Sequence, residues 1–209
     1  MQDKILCMYS GGLDSAGALW ELLTNPKYNE YIILVHHINI INHERRVHAE
    51  KTAVDETLKL FRELTKKQFY YSNSTIDFSC LPYPSNLPFD TDIYGFIGSN
   101  LATIDRTIKF LASGSTKSDK ENIVENTIFN QRRDAIMGAL YVGRNFDKQF
   151  EMLYPVEHLT KQQIYETLPK PIVDKTWSCR RPQYLNEKIQ ECGTCHSCIQ
   201  LSKIKTLIR

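Results

Sequence analysis

The chain has 209 residues, 42% of them hydrophobic and 24% charged, with 26 Lys+Arg against 24 Asp+Glu and a formal net charge of +2. These proportions exclude a disordered, collagenous or disulfide-dense chain, and the length suits one compact domain with at most a small appendage. No run of about 18 apolar residues is present to cross a membrane. The start of the chain places only Lys4 before a short apolar stretch, too brief for the core of a signal peptide, so a cytoplasmic location is expected. The near-neutral charge gives no global case for nucleic acid, although residues 159–209 hold nine Lys/Arg against four Asp/Glu.

Short apolar runs alternate with longer stretches of helical period, the pattern of an open, mostly parallel sheet with helices on both faces. Five strands are expected, at 5–9, 31–41, about 69–71, 110–113 and 150–156. None alternates strictly, as befits strands buried on both sides. Between them, Val47, Val54, Leu58 and Phe61 share one helical face, Leu101, Ile104, Ile108 and Leu111 a second, and residues 128–142 form a third helix. Residues 72–94, with Pro82, Pro84 and Pro88 and no usable period, read as a long loop over the carboxyl edge of the sheet. After Pro155, Thr160 and Gln163 have the spacing of a capping box that opens a short helix ending near Pro169. The chain therefore divides into a sheet domain over 1–158 and a helical tail over 159–209, with no material left in the tail for another strand and helix unit.

Chemistry enters at Ser10-Gly11-Gly12-Leu13-Asp14-Ser15, between the first strand and its helix. Successive main-chain N–H groups at a glycine turn and a helix amino terminus form a concave anion site, where phosphate would sit. Ser10 and Ser15 add hydroxyls, Gly11 and Gly12 let a bulky anion approach the backbone, and Asp14 is placed to hold magnesium beside pyrophosphate. The loop lacks the G-K-[ST] of a Walker A motif and is not G-x-G-x-x-G.

Six cysteines are unevenly spread. Cys7 and Cys80 stand alone and read as filler or incidental thiols. Cys179, Cys192, Cys195 and Cys198 fall within twenty residues and offer four thiolates for a closed, tetrahedral zinc site that folds the tail. His196 lies among them but is surplus to a complete set. The rival metal is an iron–sulfur cluster, against which stand the upstream fourth cysteine and the missing Cys-Pro.

With its S-G-G-x-D-S loop the sequence resembles the PP-loop, or N-type ATP pyrophosphatase, superfamily. The resemblance implies an adenine nucleotide alpha hydrolase-like fold, ATP and magnesium as cofactors, and transfer of AMP to an oxygen of the substrate with release of pyrophosphate. It also implies adenine near residues 36–38. The tail narrows the choice. His158-Leu159-Thr160-Lys161 with Ile164, then Thr176-Trp177-Ser178-Cys179, then Cys192-Gly193-Thr194-Cys195-His196-Ser197-Cys198 resemble the H-L-T-K-x-x-I, T-W-S-C and C-G-x-C-x-S-C of 7-cyano-7-deazaguanine synthases. That family resemblance implies an ATP-dependent ligase acting on 7-carboxy-7-deazaguanine, with ammonia as the nitrogen source and a nitrile as the end product. Its catalytic residues here would be Asp14 and Lys161, the latter over the phosphates, with Arg180 reaching the anionic substrate or nucleotide. Partners would be the deazapurine acid and ammonia, without membrane and without nucleic acid as direct substrate; a homodimer is compatible with this.

The middle departs from the family pattern G-x-N-x-x-D-Y-S-G-Y-P-D-C-R, since this chain has Gly114-Ser115-Thr116-Lys117-Ser118-Asp119-Lys120. Asn126, Asn130, Arg132 and Arg133 are candidate substitutes for reading a purine edge, and the stretch from His43 to His48 matches the family's basic segment loosely. Two other readings stay open: an RNA-modifying transferase of thiolation type, and a non-catalytic nucleotide-binding module.

Overall fold

The structure, a computed structural model, describes residues 2–81, 89–120, 123–142, 151–186 and 188–208. Five strands, β1 (Lys4–Met8), β2 (Ile32–Ile41), β3 (Tyr70–Asp77), β4 (Ile108–Ala112) and β5 (Glu151–Leu153), form one parallel sheet in the order β3-β2-β1-β4-β5. Strand order reverses beside β1, so its carboxyl end is the switch point at which open α/β sheets bind ligands.

Alternate residues of β1 supply the two cores. Ile5 and Cys7 pack with Leu19, Val54, Phe61, Ile164 and Ile172 under α1 (Leu13–Thr24), α2 (Val47–Thr65), α6 (Lys161–Thr167) and α7 (Lys170–Val173). Leu6 and Met8 pack on the other face with Ile93, Ala102, Leu111 and Met137 under α3 (Asp90–Ile104) and α5 (Ile123–Val142). Helices therefore cover both faces, as the sequence pattern predicts. Burial pushes the Cys7 thiol up to about 12, and it is the inert filler expected of it.

Three expectations are corrected. Ile108 and Leu111 do not continue a helical stripe: α3 stops at Ile104, and both residues belong to β4. Their spacing fits a helix face, but a chain turning at Asp105 gives the same spacing across a break, with the Ile108 amide bonding back to the Asp105 carbonyl. The loop expected over 72–94 is strand as far as Asp77 and helix from Asp90. β3 is an edge strand whose side chains are largely exposed, so it carries no apolar run to announce it. The three prolines of that loop lie outside the described residues.

The third correction concerns the tail, which contains an antiparallel hairpin, β6 (Gln183–Leu185) with β7 (Lys188–Gln190), followed by α8 (His196–Leu207). The hairpin strands are mostly exposed and pair through backbone, which leaves no hydrophobic signature. The capping box at Thr160 is present, with the Thr160 amide donating to Gln163 Oε1 at 2.9 Å and the Gln163 amide to Thr160 Oγ1 at 3.2 Å. Among the described residues no helix is long and apolar enough to cross a membrane.

Candidate active site and metal centre

The glycine loop leaves β1 at the switch point. Gly11 has φ +79, in the left-handed region where a side chain is strained, and Gly12 is the N-cap of α1 with no side-chain cap on the helix amides. The two hydroxyls brace the turn: Ser10 Oγ lies 3.0 Å from Ser15 Oγ and accepts the Gly12 amide at 3.3 Å, while Ser15 Oγ donates to the Gly12 carbonyl at 3.0 Å. An uncapped helix amino terminus behind a braced glycine turn is an anion cradle.

Lys161, the first residue of α6, closes one side of the cradle. Its Nζ lies 3.0 Å from Asp14 Oδ2 and 3.6 Å from Asp119 Oδ1. Packing fixes this approach, because α6 is set directly on α1: a Cβ on Gly17 would lie 2.6 Å from Ile164 Cγ2. Burial pushes the Asp14 carboxyl upward against the opposing pull of Lys161, whereas the two carboxylates hold the Lys161 ammonium above its ordinary range despite its burial. Asp14 Oδ1 is buried without a hydrogen-bond partner. One ammonium between two carboxylates, with a buried carboxylate oxygen unserved, fits a divalent cation.

Asp119 was not singled out from the sequence. It stands five residues after Gly114, the spacing of the glycine and aspartate in the family's G-x-N-x-x-D, and that spacing was the available signal. Asp119, in the short helix α4 (Lys117–Lys120), is held by the Thr116 amide and hydroxyl, which donate to its Oδ2 at 2.9 and 2.8 Å. Gly114 itself touches the loop, since a Cβ there would lie 2.6 Å from Asp14 C and 2.7 Å from Ser15 N. Gly114→Ala must therefore shift the backbone that aims Asp14. A loss of activity on the order of tenfold or more is expected, read as pyrophosphate release, because small misplacements of reacting groups are costly.

The opposite wall is built from the tail. The Trp177 amide donates to the Gly11 carbonyl at 2.9 Å, the Trp177 indole donates to the Cys179 carbonyl at 2.9 Å, and Ser178 Oγ lies 3.5 Å from the Leu13 amide. Together with Arg46, Glu50, Asp90, Tyr94 and Arg180 these residues line a cleft of about 150 Å³ in front of the loop. Arg180 reaches the cleft as expected, tethered to Glu44 at 3.0 Å and Asp90 at 3.2 Å. Burial pushes the Glu50 carboxyl up to about 7 in spite of Arg46 beside it. Glu50, Asp90 and Tyr94 were not legible as site residues, being single positions on helices that read as ordinary core and surface.

Other candidates are committed elsewhere. Arg132 pairs with Asp92 at 2.6 Å, and buried Arg133 donates to Asn130 at 2.8 Å and to Asp134 while its guanidinium lies 5.7 Å from the Tyr154 ring centroid. These side chains serve the packing of α3 and α5; the side chain of Asn126 lies outside those described. Both ring nitrogens of His36 are engaged, by Ser72 at 2.8 Å and Ser74 at 3.0 Å, and burial holds the ring down to about 4, hence neutral. His37 Nδ1 donates to the Tyr9 carbonyl at 2.9 Å.

The four tail cysteines converge, with all sulfurs within 4.8 Å of one another. Cys195 Sγ is 3.5 Å and Cys192 Sγ 3.9 Å from Cys198 Sγ. Backbone amides serve the sulfurs: those of Arg181 and Cys192 point at Cys179 Sγ, and those of Thr194 and Cys195 at Cys192 Sγ. The Thr194 amide draws the Cys192 thiol down to about 6. Four sulfurs at these separations, with amide donors that favour thiolate, fit a metal ion, and His196 is exposed outside the set. Cys80 is exposed and far from it in sequence.

Over residues 121–204 the chain matches one family model. It is that of the queuosine biosynthesis protein QueC. The stretch matching QueC includes Lys161 and all four clustered cysteines, and the glycine loop lies before it. Among solved structures the chain is similar to the U34-tRNA thiolase NcsA from Methanococcus maripaludis with its [4Fe-4S] cluster, at a TM-score of 0.51 and 16% identity over 98% of this chain. That likeness is one of fold, and the chain spans 64% of the thiolase's length. No curated protein matches the chain. An α/β fold with a glycine-loop anion cradle and a carboxyl-terminal four-cysteine cluster is what the fold likeness, the partial family match and the site have in common.

Proposed function

We propose that the protein is an ATP-dependent carbon–nitrogen ligase that converts the carboxylate of 7-carboxy-7-deazaguanine, or a closely related acid, to the amide and then the nitrile. The observation that supports this most is that the glycine loop, with Asp14 held by Lys161, and the Trp177–Arg180 wall line one cleft. The same tail that bears the QueC match thus forms part of the nucleotide site. On this reading residues 1–158 bind nucleotide, 159–209 form the metal-bearing tail, and the partners are small molecules.

A carboxylate is a poor electrophile until one of its oxygens becomes a phosphate ester. The loop amides with Ser10 and Ser15 would hold the pyrophosphate part of ATP so that the α-phosphorus faces the carboxylate oxygen for in-line attack. Pyrophosphate leaves, ammonia attacks the acyl carbon, and AMP departs with the transferred oxygen. A second ATP activates the amide oxygen, and loss of AMP and a proton gives the nitrile. Lys161 stabilises charge growing on the phosphates, and Asp14 and Asp119 are the residues to hold magnesium, which when bound screens that charge. The cysteine set suits zinc: a tetrahedral ion with Zn–S bonds of about 2.3 Å has sulfur–sulfur edges of about 3.8 Å. Iron–sulfur cubes bind their thiolates on separate irons and need a wider cage than the one described.

Mixing protein, ATP, magnesium, ammonium and 7-carboxy-7-deazaguanine should yield AMP, pyrophosphate and, by mass spectrometry, the amide and nitrile. Intact ATP with neither product rejects the ligase reading and favours RNA thiolation or simple nucleotide binding.

A further inference from the structure

The cleft has a charged wall to which adenylation assigns no task. Arg46, itself buried, reaches three carboxylates: Nη1 donates to Glu50 Oε1 at 2.8 Å, Nη2 to Asp90 Oδ1 at 2.7 Å, and Nε lies 2.7 Å from Glu44 Oε2. Arg180 takes up the remaining oxygens of the other two acids, Glu44 Oε1 at 3.0 Å and Asp90 Oδ2 at 3.2 Å, and also reaches Glu44 Oε2 at 3.1 Å. Glu44 and Asp90 are thereby occupied on both oxygens. Glu50 is not.

Glu50 Oε2 accepts no hydrogen bond from any described residue, yet the side chain is only 9% exposed and lines the cleft. Three carboxylates share two guanidiniums on this wall, and Glu50 is the one with an oxygen to spare. That oxygen is left for a donor that enters the cleft. The position is fixed, because the backbone of α2 abuts the loop: a Cβ on Gly11 would lie 3.2 Å from the Glu50 carbonyl oxygen. Tyr94 and Trp177 line the same cleft and offer flat surfaces to a heteroaromatic ring.

We infer that Glu50 reads the donor edge of the substrate, the adjacent ring N–H and exocyclic amino group of a 2-aminopyrimidinone, with Arg46 as its positioning residue. This rests on the ligase reading above. In a 7-deazaguanine acid that edge and the carboxylate are at opposite ends of the ring system, so a ring held at Glu50 by its donor edge leaves its carboxylate free to face the nucleotide. Each carboxylate oxygen has two lone pairs, so Oε1 can serve Arg46 and a ligand donor together.

The test compares 7-carboxy-7-deazaguanine with its analogue lacking the 2-amino group, in acid-dependent pyrophosphate release by wild type and by Glu50→Gln. Wild type is expected to prefer the amino compound by on the order of 10- to 100-fold in kcat/KM, as sites built around hydrogen bonds reject analogues that lack them. Glu50→Gln is expected to raise KM for the amino compound by about tenfold or more, to leave KM for ATP and ammonium in place, and to erase the preference. Absence of a preference in wild type, which needs no variant to fold, overturns the inference while leaving the ligase reading standing. So does an equal loss for both acids in Glu50→Gln, or a shift confined to ammonium, which would make Glu50 the site of the nitrogen source. No pyrophosphate from wild type with either acid rejects the ligase reading, and this inference with it.

Discussion

Asp14→Asn is expected to lower pyrophosphate release by roughly 10²-fold or more while leaving the fold as stable as before, or more so. Removing one preorganised contact to developing transition-state charge costs about that much. The stability half follows from the sign of the Asp14 shift. Burial raises its carboxyl above the ordinary range more than Lys161 lowers it, so the charged form is disfavoured in the folded chain at neutral pH, and the neutral amide removes that penalty. Lys161 keeps Asp119 as a partner at 3.6 Å. Turnover and thermal unfolding measured on the same preparation separate the two effects. Unchanged pyrophosphate release would remove Asp14 from the chemistry, and a large fall in melting temperature would make it a structural residue.

Cys198→Ser should be the most destructive change in the tail. Cys198 is buried, and its sulfur is in contact with those of both Cys192 and Cys195. Structural zinc supplies on the order of 10 kcal/mol to the segment it folds, and loss of a ligand forfeits most of that. The effect should reach the nucleotide site, because Trp177, Ser178 and Arg180 adjoin Cys179 and form the far wall of its cleft. The variant is expected to lose its metal, to expose residues 176–207 to protease, and to bind ATP more weakly. One zinc per wild-type chain by elemental analysis is the companion result; iron with sulfide would replace the zinc assignment, and full activity in a metal-free variant would uncouple tail from site.

The sheet was legible where strands are buried on both faces, because β1 and β2 are rich in apolar residues that alternately enter opposite cores. The length of β3 beyond Tyr71 and the β6/β7 hairpin escaped notice for the converse reason: their pairing is made by backbone, and exposed side chains carry no period. The glycine loop and cysteine cluster were legible since each is contiguous and its chemistry is local. The acidic wall was not. Glu44, Arg46 and Glu50 come from the start of α2 and the turn before it, Asp90 from α3, and Arg180 from the tail, and only the fold brings them within 3.2 Å contacts of one another, with Tyr94 of α3 lining the same cleft. Asp119 lies between these cases, since its spacing from Gly114 was present in the sequence while its partner Lys161 is supplied by a helix more than forty residues later.

The most direct test of adenylation follows the substrate's own oxygen. With 7-carboxy-7-deazaguanine labelled with 18O in both carboxylate positions, each AMP released in the presence of ammonium should carry one 18O on its phosphate. The first label leaves with AMP when the amide forms and the second when the nitrile forms. Unlabelled AMP, or ADP in place of AMP, would contradict transfer of the adenylyl group to the carboxylate.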